Sequence, residues 1–354
     1  MSSLGGRTLA GVLRLRRSLA GARRARALRP GARNRRAFSS ASNAEERVPG
    51  EDGDGAARLS STSGAYVKHL EKLRSSASYR REQGRVVVVG QTVVKEVSQS
   101  LGPAEGVVIA EGAPLSSAAV AGDPGRGDGV AENGWPRVAR AMPHVLKKIT
   151  GDPTPEGMVA TFKFADPSLS AGVPPWVRGA RRVLVLDGVQ DPGNLGTLLR
   201  SALALGWDGA VVLPGVAGAC DPFNDKALRA GRGAALRLPV CTAGSWAEWI
   251  SGPGRDFLHI AAVAAEDPGG AAGSSKDLLG QGGRVALVLG SEGKGLSPDA
   301  SAGCDVLATV PYGGDMESLN VGVAGGILMW ALHSLDGPAA GGLLLRRNVG
   351  VEST

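Results

Sequence analysis

The chain has 354 residues, a formal net charge of +7, and apolar and charged fractions of 43% and 21%, ordinary for globular protein and enough for two domains. Aromatic residues reach only 4%, which disfavours a broad base-stacking surface, and the three cysteines, Cys220, Cys241 and Cys304, have neither metal-type spacing nor the even count of a disulfide framework. The basicity is local: residues 1–42 carry eleven Arg and no acid, and without them 29 Lys plus Arg face 33 Asp plus Glu, a balance near −4 that gives no global argument for nucleic acid.

In chain order, the Arg-, Ser-, Ala- and Leu-rich segment 1–42 reads as an organelle transit peptide, with a cut after Phe38 in Arg36-Ala37-Phe38-Ser39-Ser40. This points to a mitochondrion, with a plastid as the alternative; a retained basic arm on nucleic acid is the competing reading. No run approaches the roughly 18 apolar residues of a membrane span, so no membrane partner is expected. Residues 43–62, acidic and rich in Gly and Ser, read as a disordered linker.

A small α/β domain is expected over 63–165. Val67, Leu70 and Leu73 have helical spacing, 85–90 is a β-branched run ending in Gly, Val93, Val94 and Val97 suggest a second helix, and 107–110 a second strand. A flexible insertion of Ala, Gly, Asp and Pro interrupts it at about 113–136. The domain resumes at 145–149 and closes near 158–161. Residues 166–180, with Pro167, Pro174 and Pro175, form a stiff connector. From 181 to 345 apolar runs at 183–186, 210–213, 259–264, 285–289 and 306–310 alternate with helical stretches at 195–205, 226–232, 246–250 and 319–333, the rhythm of a mostly parallel sheet.

Three blocks in this second domain carry chemistry. The first is Leu186-Asp187-Gly188-Val189-Gln190-Asp191-Pro192-Gly193-Asn194-Leu195-Gly196-Thr197-Leu198-Leu199-Arg200, a strand end, a Pro-Gly turn and a helix whose apolar face leaves Arg200 pointing outward. It lacks GxGxxG, and the chain lacks GxxxxGK[ST], which argues against a dinucleotide or phosphate-loop enzyme. The second is Leu289-Gly290-Ser291-Glu292-Gly293-Lys294-Gly295-Leu296-Ser297, where glycines beyond a buried strand let the backbone pass close to a ligand. The third is Val310-Pro311-Tyr312-Gly313-Gly314-Asp315-Met316-Glu317-Ser318-Leu319-Asn320-Val321-Gly322, a loop with Ser318 placed to cap a helix starting at Leu319.

In this order and at these separations the three blocks resemble motifs one, two and three of the SpoU/TrmH family of RNA 2'-O-ribose methyltransferases, over roughly 181–335. Residues 63–160 resemble, more weakly, the family's L30e-like substrate-binding extension. The resemblance implies an α/β fold: a mostly parallel sheet with a C-terminal trefoil knot, preceded by a small α/β L30e-like domain, in an obligate homodimer without a metal. It implies S-adenosyl-L-methionine as cofactor, held by Leu289, Gly290, Ser291, Gly295, Val310, Pro311, Ser318 and Leu319. Arg200 matches the arginine that acts on the ribose 2'-hydroxyl, Asn194 the asparagine that positions it, and Glu292 and Asn320 the residues that shape the pocket, with Glu292 orienting Arg200.

Two departures stand out: Gly322 where the family commonly has Ser, and Arg232 where a small or apolar residue is usual. RNA contact is expected from the local basic run Lys68, Lys72, Arg74, Arg80, Arg81 and Arg85, with Tyr79 as a stacking residue. The substrate implied is organellar ribosomal RNA. Transfer RNA, and a non-catalytic ribosome assembly factor that keeps the fold, are the alternatives.

Overall fold

A computed structural model describes residues 56–113, 137–152, 157–165, 168, 173–264, 283–311, 318–333 and 344–347, all within one unit, Glu45–Thr354. Segment 1–42, expected as a transit peptide, most of the insertion expected at about 113–136, and the stretch 312–317 of the third block lie outside the described residues.

The first sheet is built from β1 (Ala57–Leu59), β2 (Arg85–Val89), β3 (Gly106–Ala110), β4 (Val138–Ala141) and β5 (Met158–Lys163), in the order β1-β4-β3-β5-β2. β2 and β3 are runs of Val and Ile buried on both faces, which is why they sit inside the sheet's two helical covers. Four helices flank them: α1 (Ala65–Ser75), α2 (Ala77–Gln83), α3 (Gln91–Leu101) and α4 (Pro143–Thr150). The disordered linker expected over 43–62 is corrected at its end. β1 pairs in parallel with β4, Ala57 opposite Ala139 and Leu59 opposite Ala141, so the neighbouring edge orders three residues that have little propensity of their own.

The second sheet follows α5 (Pro175–Gly179), a short helix inside the expected connector. Its strands β6 (Arg182–Asp187), β7 (Gly209–Leu213), β8 (Val240–Thr242), β9 (Leu258–Ala262), β10 (Val285–Gly290), β11 (Val306–Thr309) and β12 (Leu344–Arg347) run in the order β12-β11-β9-β10-β6-β7-β8, all parallel except β12. Alternation along β6 divides two cores. Leu184 and Leu186 pack with Leu195, Leu198 and Leu199 of α6 (Pro192–Ala204), whereas Val183 and Val185 pack with Trp246 and Trp249 on the opposite face. The remaining helices are α7 (Asp225–Ala230), α8 (Ala234–Arg237), α9 (Trp246–Ser251), α10 (Pro298–Gly303) and α11 (Val321–His333).

The two sheets share one apolar cluster, in which Val86, Val93, Val97 and Phe162 of the first join Leu195, Leu228 and Leu238 of the second. Phe164 meets Phe223 edge-on at 4.7 Å between ring centroids. Charged contacts ring this apolar junction: Arg80 with Asp221, Arg229 with Asp152 at 3.0 Å, and Arg232 and Arg237 both with Glu96 of α3. Arg232, one of the two departures, is the only non-glycine with positive φ (50°) among the described residues; its left-handed backbone aims the guanidinium across the junction at Glu96.

Candidate functional site

The site lies where β6 and β10 pair side by side, Leu186 opposite Leu289 and Asp187 opposite Gly290. Sequence strand β6 runs out to β7 and β8, while β9 and β11 lie on the far side of β10; ligands of open parallel sheets bind beyond carboxyl ends at such a reversal. The loops after β6 and β10 and the segment after β11 all leave from this rim.

The first loop turns into α6 because Pro192 takes the first helical position and Asp191 caps it, its Oδ1 accepting from the Asn194 N–H at 2.7 Å. This fixes Asn194 in the first turn, and its side chain joins the three blocks. Asn194 Nδ2 donates to Glu292 Oε1 at 2.9 Å, and Asn320 Nδ2 donates to Asn194 Oδ1 at 3.1 Å. One carboxamide thus bridges the second and third blocks from the first.

Asn320 also accepts at Oδ1 from the N–H groups of Gly322 (2.9 Å) and Val323 (3.3 Å), which makes it the cap of α11. The expectation that Ser318 caps a helix starting at Leu319 is therefore corrected: the helix begins at Val321. Ser318 is exposed and Leu319 half-buried on the approach to it. Gly322, the other departure, lies buried against the two asparagines; a Cβ there would stand 3.0 Å from Asn320 Oδ1 and 3.4 Å from Asn194 Oδ1.

The second block closes on itself. Ser291 and Gly295 exchange backbone hydrogen bonds at 2.8 and 2.9 Å, and Ser291 Oγ accepts from the Lys294 N–H at 3.2 Å. Ser291 accordingly shapes the loop, with N–H, carbonyl and hydroxyl all engaged within it. Gly290 is required by this closure, since a Cβ would overlap the backbone of Gly295 and Leu296. A residue that sequence reasoning missed holds the loop in place: Asp187, 2% exposed at the end of β6, accepts from the Ser297 N–H at 2.6 Å. Its only signal was a carboxylate ending a buried strand.

Leu289 is buried against Gly325 of α11, Val310 is half-buried and Pro311 exposed at the end of β11. Arg200 is exposed on α6, six residues beyond Asn194, about 9 Å along the axis. Among the described residues it has no ion pair, and Glu292 accepts from Asn194 instead of Arg200, which corrects the expectation that Glu292 orients Arg200.

The basic run divides into two groups. Lys68, Lys72 and Arg81 are exposed, while Arg80 is 3% exposed and donates to the carbonyls of Leu73 (2.8 Å) and Arg74 (3.0 Å) as well as pairing with Asp221. Arg85 pairs with Glu105 at 2.7 Å, and Arg74 packs against Gly151. RNA contact is therefore withdrawn from Arg80 and Arg85, whose guanidinium groups are satisfied inside the protein. Tyr79, expected to stack on a base, bonds His69 Nδ1 at 2.9 Å and carries Lys72 5.6 Å from its ring centroid.

Cys220 lines a cleft beside the first loop, but burial pushes its thiol up to about 11, with Asp221 and Asp191 adding to the effect, so it is no nucleophile near neutrality. Among the described residues no group of three or more His, Cys, Asp or Glu side chains is arranged to hold a metal, and no helix is long and apolar enough to cross a membrane.

A family model described as the SpoU rRNA Methylase family matches residues 181–330. The chain is 33% identical over 187 residues to the 23S rRNA (guanosine(2553)-2'-O)-methyltransferase RlmP of Bacillus subtilis, covering 52% of this chain and 68% of the relative. It is 36% identical over 197 residues to the 23S rRNA (guanosine-2'-O-)-methyltransferase RlmB of Xanthomonas campestris, covering 54% and 76%. Among solved structures, an AdoMet-bound rRNA methyltransferase from Sinorhizobium meliloti shares the fold with a TM-score of 0.60 at 22% identity, over 78% of this chain and 97% of that one. An RNA 2'-O ribose methyltransferase matches with a TM-score of 0.57 at 25% identity, over 79% and 98%. Three motif loops locked together by Asn194, and relatives matched over more than two thirds of their length, place the chain in the SpoU rRNA methylase family.

Proposed function

We propose that this chain is an S-adenosylmethionine-dependent methyltransferase acting on a ribose 2'-hydroxyl of ribosomal RNA. The observation that carries the reading is the Asn320–Asn194–Glu292 hydrogen-bond chain, which ties the three motif segments into one unit at the carboxyl rim of the sheet. Val310 and Leu319 offer half-buried apolar surface there, beside the exposed hydroxyl of Ser318. Such a mixed wall suits an adenosyl group, with its flat base and hydroxylated sugar, so the residues fit the cofactor.

When bound, that cofactor supplies an electrophilic methyl group on a sulfonium centre. The chain's own task is the 2'-hydroxyl, which is a poor nucleophile until its proton leaves. Arg200 presents a guanidinium that stabilises the incipient alkoxide while the hydroxyl proton passes to solvent water. Asn194, held on both sides by Glu292 and Asn320, fixes the first turn of α6 and thereby the course of the helix that carries Arg200.

The homodimer belongs to the same reading. Val323, Ile327 and Trp330, 53%, 40% and 52% exposed, form one stripe on α11, beside the helix carrying Arg200; a second copy covering this stripe would bring Arg200 to a neighbouring rim. Light scattering of Ile327→Asp, expected to be monomeric, tests this. The trefoil threading and the organellar site of action are part of the proposal too. Matrix import of a tagged full chain with loss of residues 1–38 tests the latter.

Methyl transfer from labelled S-adenosylmethionine to an unmodified large-subunit rRNA transcript tests the activity. The wild type transfers label to ribose, and Arg200→Ala loses transfer while binding the cofactor within a few fold of wild type. Full activity in that variant removes Arg200 from the mechanism, and no cofactor binding by the wild type overturns the function.

A further inference from the structure

We infer that the cleft between α1 and the loop opening α6 seats the RNA strand beside the target nucleotide, with Ser75, Gln190 and Lys226 on its walls and Lys68 and Lys72 leading into it. The inference rests on the function proposed above and assigns that function a path for the substrate.

The cleft has a volume of about 500 Å3 and is lined by Arg74 and Ser75 on one side and by Gln190, Pro192, Asp221 and Lys226 on the other. That volume falls within the range of about 300–1,000 Å3 typical of small-molecule sites, room for a single nucleotide. Pro192 lies two residues from Asn194, so the cleft borders the rim where the three motif segments meet. A strand leaving the reaction centre along this wall enters the cleft first.

The cations around the cleft are of two kinds. The junction arginines Arg80, Arg229, Arg232 and Arg237 are each engaged with a carboxylate across the junction. The lysines Lys68, Lys72 and Lys226 are exposed and have no ion pair among the described residues. Lys68, Lys72 and Ser75 follow at helical i, i+4, i+7 spacing on one face of α1, about 10 Å end to end, and the last of them lines the cleft. The carboxylates in the cleft are each set beside cations, Asp221 against Arg80, and Asp225 at 3.3 Å from Arg229, which it shares with Asp152, with the charges of Arg74 and Lys226 also acting on it, so their repulsion of a phosphate is offset. What remains is a short line of unpaired positive charge that leads to the first loop, the signature of a phosphate track.

The walls also keep their separation. Arg80 donates to the carbonyls of Leu73 and Arg74 at the end of α1 and pairs with Asp221 on the opposite wall, which ties the two walls together, so the gap is formed before RNA arrives.

The test uses the full chain and an unmodified large-subunit rRNA transcript, with Lys226→Glu and Lys72→Glu against Lys95→Glu, an exposed lysine on α3 away from the cleft. Lys226 is in the first turn of α7, where an acidic side chain is favoured, so the fold tolerates the change. The cleft variants should weaken RNA binding at least tenfold, raise the RNA KM and lower the slope of log affinity against log salt by about 0.7 per lost contact, with cofactor affinity unchanged. Lys95→Glu should produce a distinctly smaller loss. Equal affinity and slope for Lys226→Glu and Lys95→Glu overturn the inference, as does a wild type that binds no RNA. Cleft variants that show the predicted losses beside a wild type that transfers no methyl group keep the cleft and sink the function; a methylating enzyme indifferent to Lys72 and Lys226 does the reverse.

Discussion

Replacing Arg80 by Met separates structure from RNA contact in the basic run. The side chain of Arg80 is 4% exposed and that of its partner Asp221 29%, and the same guanidinium satisfies two carbonyls at the end of α1. Methionine keeps the aliphatic stem and removes the charge, leaving Asp221 and both carbonyls without their donor. Breaking a buried pair of this kind costs about 3–5 kcal/mol. At about 1–2 °C per kcal/mol for a chain of 354 residues, the melting temperature should fall by roughly 3–10 °C. Scanning calorimetry reads the shift, with Arg81→Ala as comparison. Arg81 is exposed on the same helix, and its loss should leave the melting temperature within about 1 °C, in line with surface substitutions generally, while lowering the salt slope of RNA binding. A melting point for Arg80→Met within 2 °C of wild type, or a larger thermal loss for Arg81→Ala, refutes the division of the run.

Other outcomes follow from the site and from buried titrating groups. Gly290→Ala drives a methyl group into the backbone of Gly295 and Leu296, so equilibrium dialysis should show S-adenosylmethionine affinity falling at least tenfold. Asn320→Ala removes the cap of α11 and the bond to Asn194; urea unfolding should show a loss of about 0.5–2 kcal/mol, together with slower methyl transfer. Burial lowers the His69 imidazole to about 4, with the Arg85 charge contributing. Because the unfolded chain then binds the proton more readily than the native one, stability is complete above pH 6.5 and declines as pH falls toward 4. His69→Gln should flatten that decline, which amounts to on the order of 3 kcal/mol, and an unchanged pH profile argues that other groups produce it.

Much of the second sheet was legible because its strands are continuous apolar runs between turn residues: 183–186, 210–213, 285–289 and 306–310 all became strands. β1, β4, β8 and β12 were not, since three- or four-residue segments such as Val-Ala-Arg-Ala become strands only when a neighbour offers an edge. In the site, the motif residues were legible through their likeness to a family, but their mutual roles were not. Ser and Asn are both residue types that cap helices, and Ser318 and Asn320 stand two positions apart; Asn320 takes the role, held by Asn194 from 126 residues away. Asp187 finds its partner Ser297 110 residues on. Arg80 looked equivalent to Arg81 because Asp221, which sets it apart, lies 141 residues downstream.

The apolar cluster that runs without a break from Val86 and Phe162 into Leu195 and Leu238 bears on how the molecule comes apart. Halves cut at the connector would each carry an uncovered oily flank, Val93, Val97 and Phe164 on one and Phe223 and Leu228 on the other. Recombinant fragments ending near residue 165 should therefore aggregate or require the other half in trans, and heating the whole chain should give one cooperative endotherm in place of two.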